Sequence, residues 1–206
     1  MYRSRKIAVI LALLFSFGFA QAADARPTIT EIVLKSGAPG EFDKNRYDYD
    51  ILLTAVVTAG LADALNEPDA RLTVFAPNDM AFIRLARDLG YPGKDEAGTW
   101  AFLVEALTGL GGGDPIPVLT DILLYHVVPD KVNVFGFLRA AIRGNLIPTL
   151  LEDGNMDPVT LKPFLFGLVD KEPDLRNPRL TFPINLRASN GIIHTINRVL
   201  IPIDLP

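Results

Sequence analysis

Apolar positions recur at helical spacing through the first two thirds of the chain and in short β-prone runs through the last third. Residues 23–45 form a lead-in segment in which Pro27, Gly37, Pro39 and Gly40 bracket one short helix around Ile29, Ile32, Val33 and Leu34. Ile51, Leu52, Ala55 and Val56 predict a helix over Tyr49–Ala59, with Asp50 placed to cap its start and Gly60 to stop it. Leu72–Ala76 is a compact β-branched and aromatic run closed by Pro77, the pattern of a buried strand. Asn78 then caps a helix whose apolar face is Phe82, Leu85, Ala86 and Leu89, ending at Gly90. Trp100, Leu103, Val104 and Leu107 predict a helix over Thr99–Thr108, terminated by the glycine-rich loop Gly109–Asp114. Further helices are expected over Val118–Leu124 and Phe135–Ile142. The apolar run Tyr125–Val128 between them reads as a strand, and Pro129-Asp130 as a turn.

From Leu146 onward the rhythm changes. Leu146–Leu151, Val159–Leu161, Phe164–Val169, Leu180–Leu186 and Ile192–Ile201 read as strands, with Asn190-Gly191 as a two-residue turn between the last two. Helices gathered early and strands gathered late predict an α+β domain whose early strand joins the later sheet.

The N-terminus departs from all of this. Arg3, Arg5 and Lys6 precede an apolar run from Ile7 to Phe19, and Ala20-Gln21-Ala22 closes it, the layout of a secretory signal peptide cleaved after Ala22. The run is shorter than the roughly 17 to 25 residues of a spanning helix, so retention as an anchor is the weaker alternative. Cleavage removes three cationic side chains from a chain already at −4, leaving an acidic domain unsuited to nucleic acid or anionic lipid. With 49% hydrophobic residues and no cysteine, stability must come from a packed core, and thiol catalysis and cysteine-based metal sites are excluded.

Three stretches now carry a resemblance. TVFAPNDMAF (Thr73–Phe82), LLYHVVP (Leu123–Pro129) and ASNGIIHTINRVLIP (Ala188–Pro202) resemble, in order and spacing, the two signatures and the intervening tyrosine-histidine segment of fasciclin-like domains. The resemblance implies a wedge of about seven β-strands packed with several helices over residues 46–206, an adhesive role and no catalytic chemistry. Residues 88–117 are longer than the family pattern and read as an enlarged helical insertion. Asn197 stands where the family often has aspartate. The family's integrin-binding pair, usually Asp-Ile, aligns with Asn185-Leu186, so the carboxylate of that contact is missing.

Tyr125 and His126 are candidates for partner contact, with a core role as the stronger reading. Thr73, Phe75, Pro77, Asn78, Asp79, Phe82, Asn190, Gly191 and His194 are assigned to the structural motifs, with His194 bonding across to the first signature. A zinc site would need both histidines and a carboxylate such as Asp79, and is disfavoured. Glu41, Asp43, Asp48 and Asp50 lack the spacing of an EF-hand and read as a solvated acidic lead-in, weak calcium binding being the alternative. Gly109–Asp114 lacks the partners of a phosphate loop, and no Gly-x-Ser-x-Gly or His-Glu-x-x-His pattern occurs, so neither a cofactor nor an enzyme activity is expected. The leading expectation is a secreted, periplasmic or cell-surface module that binds a protein or glycan. The alternative is a carrier of a small apolar ligand held between helices and strands.

Overall fold

The computed structural model describes residues 26–205; the expected signal peptide lies outside them. Among the described residues, seven α-helices and seven strands in two sheets make the α+β architecture. The helices are α1 (Ile29–Val33), α2 (Asp50–Thr58), α3 (Ala62–Asn66), α4 (Asp79–Asp88), α5 (Glu96–Leu110), α6 (Ile116–Tyr125) and α7 (Val134–Arg143). The strands are β1 (Leu72–Pro77), β2 (Val127–Val128), β3 (Ile147–Glu152), β4 (Pro158–Phe164), β5 (Gly167–Val169), β6 (Leu186–Arg187) and β7 (Gly191–Ile196). One sheet runs β2-β1-β7-β6 and the other β3-β4-β5.

The early strand does join the late ones. β1 lies parallel to β7, from Leu72 opposite Gly191 to Pro77 opposite Ile196, and antiparallel to β2. Every residue of β1 and β7 is buried, as expected of central strands covered on both faces. On one side Leu52, Val56, Val74, Phe82, Leu103 and Leu123 join helices α2, α4, α5 and α6 to the sheet. On the other, Phe75, Tyr125, Phe137, Leu161, Leu168 and Leu200 fill the space between the two sheets, with Phe75 and Phe137 edge to face at 6.0 Å.

Several local expectations are corrected. Asp50 does not cap α2; it is the first helical residue, and Tyr49 precedes it without a side-chain bond to the helix start. The helix does end through Gly60, whose φ of +69° lets the amides of Gly60 and Leu61 reach the carbonyls of Val57 and Val56. α5 starts at Glu96 because the Asp95 side chain accepts the Gly98 amide at 2.7 Å. Tyr125 ends α6 and His126 follows as its C-cap, so neither lies in a strand; only Val127 and Val128 pair with β1. An unbroken apolar run fits either element, and here the helix continues into it.

The last third holds less strand than expected. Phe164–Val169 is a hairpin, with Leu165 and Phe166 turning between β4 and β5. Leu180–Leu186 provides a single bridge from Leu180 to Ile196 and the start of β6, since Pro183 has no amide to donate. β7 stops at Ile196, level with the end of β1 at Pro77. Asn190-Gly191 is no two-residue turn: β6 and β7 are joined by residues 188–190, and neither Asn190 nor Gly191 takes a left-handed conformation.

Candidate functional site

His126 is buried, and both ring nitrogens are engaged. Nδ1 lies 2.7 Å from the Ile122 carbonyl and so donates, while Nε2 accepts the Leu200 amide at 2.9 Å. Burial lowers its pKa to about 4. The Tyr125 hydroxyl donates to the Thr160 carbonyl at 3.4 Å from a fully buried ring, and burial raises its pKa. Both side chains point inward, tying α6 to the second sheet and to the segment after β7.

His194 touches the first signature through its ring. It stacks on Phe75 with centroids 5.8 Å apart, whereas its hydrogen bond runs from Nε2 to the Val132 carbonyl at 2.9 Å. The expected bond to the first signature is thus replaced, because the parallel register sets His194 beside Phe75, which offers only a ring face. Thr73 holds the same turn: its hydroxyl donates to the Asp130 carbonyl at 2.6 Å and accepts the Val132 amide at 2.7 Å.

Asn190 is a three-way bracket. Its side chain accepts the Ile29 amide at 2.9 Å and donates to the carbonyls of Leu65 and Glu67 at 2.9 and 3.0 Å. Gly191 is required by close approach, since a Cβ there would meet the Leu72 carbonyl oxygen at 2.5 Å. Pro77 closes β1, Phe82 is buried in α4, and the Asn78 side chain caps α4 by accepting the Ala81 amide at 3.1 Å. Asp79 works across elements instead: its carboxylate accepts the Ile51 amide at 2.9 Å and the Asp50 amide at 3.3 Å, capping α2 from 28 residues away.

Asn185 and Leu186 are half-buried. Asn185 takes a φ of +61°, and its Oδ1 accepts the Val134 amide at 3.3 Å, fastening the loop before β6 to the start of α7. The fastened segments carry Phe182, 83% exposed, and Phe135, 78% exposed. Sequence reading missed both phenylalanines, although their positions in a proline-interrupted segment and at the first turn of an amphipathic helix are a usable signal.

A cavity of about 340 Å³ lies between α1, α2 and β1 and is lined by Ile29, Val33, Leu52, Val56, Val74 and other apolar side chains. Its size falls within the range of small-molecule sites. Among the described residues no helix is long and apolar enough to cross a membrane.

Comparison with known proteins gives concordant results. The fasciclin domain profile matches residues 47–202. The uncharacterized protein sll1735 of Synechocystis sp. is 30% identical over 153 residues, covering 74% of this chain and 89% of that one. The transforming growth factor-beta-induced protein ig-h3 of Sus scrofa is 31% identical over 154 residues, which are 75% of this chain and 18% of that protein. A solved FAS1 domain pair from the insect cell adhesion molecule fasciclin I superposes with a TM-score of 0.53 at 17% identity, over 85% of this chain and 51% of that one.

Proposed function

The chain belongs to the fasciclin domain family, and from that premise we propose that it is an exported adhesion module that holds a protein or glycan partner on its surface and performs no catalysis. The observation that carries the reading is the division of labour between inside and outside. The polar atoms of Tyr125, His126 and Asn190 and the Nε2 of His194 are spent on backbone partners, while Phe135 and Phe182 stand in solvent on two segments pinned together by Asn185. Exposed aromatics on a rigid frame are the usual anchors of protein interfaces and also stack on sugar rings. Asn185 ends the same loop and Leu186 opens β6 next to it, so the docking face includes the pair. The fold partner is an insect cell adhesion molecule, and the segment from Arg3 to Ala22 has the layout of an export signal.

The test is binding of the purified protein to the surface or matrix of cells from its own source. Phe135→Ser with Phe182→Ser should abolish binding and leave the melting temperature unchanged; retained binding refutes this face. A second reading is favoured by one observation, the apolar cavity beside α1, which suits a carrier of a small apolar ligand. Native mass spectrometry of the gently purified protein tests it, a co-purified apolar compound being the expected result.

A further inference from the structure

Three helices begin at one place. Asp50, Asp79 and Glu96 are each the first residue of their helix, α2, α4 and α5. The loop before α2 is stitched to the start of α4 by the Asp79 amide on the Asp48 carbonyl and the Met80 amide on the Arg46 carbonyl. This brings Asp43 and Asp48 to the same crevice. Oxygens of Asp43, Asp50 and Glu96 all lie within 4.8 Å of one another, and so do oxygens of Asp48, Asp50 and Asp79. The acidic run is solvated only in part: Glu41 and Asp43 are exposed and Asp48 is half-buried, but Asp50 is 2% exposed, and Glu96, outside the run, is 3% exposed.

The unpartnered atoms point to a missing ligand. Both oxygens of Glu96, Oδ1 of Asp50 and Oδ1 of Asp48 are buried without a hydrogen-bond partner. The other acidic set, Glu172, Asp174 and Asp204, differs, because the two Glu172 oxygens accept the amides of Asp174 and Leu205. Asp79 is likewise occupied by the amides that it caps. Unpaired buried carboxylate oxygens are costly unless a cation or donors satisfy them. Burial first, then Asp50 and Asp43, push Glu96 up to about 7, and burial followed by Asp48 raises Asp50. Helix N-termini offset part of this cost, but too little for a crevice with four orphaned oxygens.

We propose that the crevice at the joint start of α2 and α5 is a calcium site, in which Asp43, Asp50 and Glu96 bind the ion and the free oxygen of Asp48 completes the protein's share. Oxygens held by one calcium ion, each at about 2.4 Å, stand no more than about 4.8 Å apart, and the oxygens of Asp43, Asp50 and Glu96 lie within that limit. The donors are all hard carboxylate oxygens, without the nitrogen or sulfur that zinc prefers. Asp43 is exposed and opens the site to water, which suits the six to eight flexible ligands of calcium better than the strict octahedron of magnesium. The separation of 46 positions from Asp50 to Glu96 hides the arrangement from any local motif.

The experiment compares the full-length protein, stripped with chelator, in calcium chloride and in EDTA, by calorimetric titration and thermal unfolding. Calcium at about 1 mM, the range of extracellular sites, should produce binding heat and raise the melting temperature by several degrees. Glu96→Gln should abolish both responses and melt no lower than wild type in EDTA, because it removes an unpaired buried charge. Asp43→Asn, at an exposed position that cannot disrupt the core, should weaken calcium at least tenfold, and Glu172→Gln should leave the response intact. The proposal is overturned by any of three results: no response in wild type, a full response in Glu96→Gln and Asp43→Asn, or tighter binding of magnesium or zinc than of calcium. A Glu96→Gln protein that melts lower than wild type in EDTA would also overturn it, showing that the helix ends alone hold the carboxylate.

Discussion

Protonating His126 should be among the most damaging single events available to this domain. Nδ1 must donate to the Ile122 carbonyl at 2.7 Å, and the lone pair on Nε2 is taken by the Leu200 amide at 2.9 Å. A proton added to Nε2 would face the Leu200 N–H, while the Nδ1 proton is already committed to the Ile122 carbonyl. Burial sets the folded pKa at about 4, below the ordinary 6.5. At about 1.36 kcal/mol per pH unit, the gap corresponds to about 3 kcal/mol. The unfolded chain binds the proton more readily, so this contribution is fully present above pH 6.5 and is lost as pH falls toward 4. Glu96, pushed up to about 7, and Asp170, pushed up to about 6 by burial, act in the opposite sense and stabilise the folded state as pH falls. A bare stability profile therefore mixes terms of both signs.

The assay must isolate the imidazole. The chain has two histidines, and the hydrogen bonds assign them opposite tautomers: Nδ1–H for His126, and Nε2–H for His194 facing the Val132 carbonyl. Nitrogen-15 spectra of wild type and His194→Gln should show the His126 ring neutral, in the Nδ1–H form, down to about pH 5. Denaturant titrations of wild type and His126→Gln should give a stability difference that shrinks by about 3 kcal/mol between pH 7 and pH 4. A His126 midpoint near 6.5 in the folded protein, or an Nε2–H tautomer, refutes the reasoning.

Other substitutions probe the remaining brackets. Asn190→Ala strands the Ile29 amide and the carbonyls of Leu65 and Glu67 and should cost at least about 2 kcal/mol in urea unfolding. Gly191→Ala forces a methyl against the Leu72 carbonyl and Ile29, and a loss of about 1–3 kcal/mol is expected by the same measurement. Phe137→Ala, opening the space beside Phe75, should cost about 3–5 kcal/mol and lower the melting temperature accordingly. Asn78→Ala should cost about 0.5–2 kcal/mol through the lost cap on α4.

Much of the architecture was legible because local chemistry and tertiary demand agree. The helix after Asn78 carries a cap, an apolar face and a stopping glycine at the right spacing, and it forms as read. Where one signal serves two purposes, reading fails. Asn190-Gly191 has the residues of a tight turn, but the asparagine is there to bracket α1 and the segment after α3, and the glycine to let β7 approach Leu72. Asp50 has the look of a cap, yet Asp79 does that work, and a bond across 28 residues leaves no periodic trace. The acidic crevice is hidden in the same way, since Glu96 sits beyond a strand and two helices from Asp50.

The same bonds explain why signatures of this kind need not signal chemistry. A general acid or base must reach a substrate with a free nitrogen or oxygen. In His126 both nitrogens are consumed by backbone groups, the Tyr125 hydroxyl is turned to Thr160, and His194 lies at a fully buried strand position with its Nε2 on Val132. Each is spent on joining segments distant in sequence: α6 to the chain after β7, α6 to β4, and β7 to the turn before α7. Polar residues used this way fix which elements meet, so replacing them disturbs assembly before it disturbs recognition. Recognition is then free to vary on the outside: the loop before β6 is fastened to the Val134 amide by the Asn185 side chain, while Phe182 in the same loop is 83% exposed. A chain that keeps the brackets and changes that loop should keep its fold and change its partner.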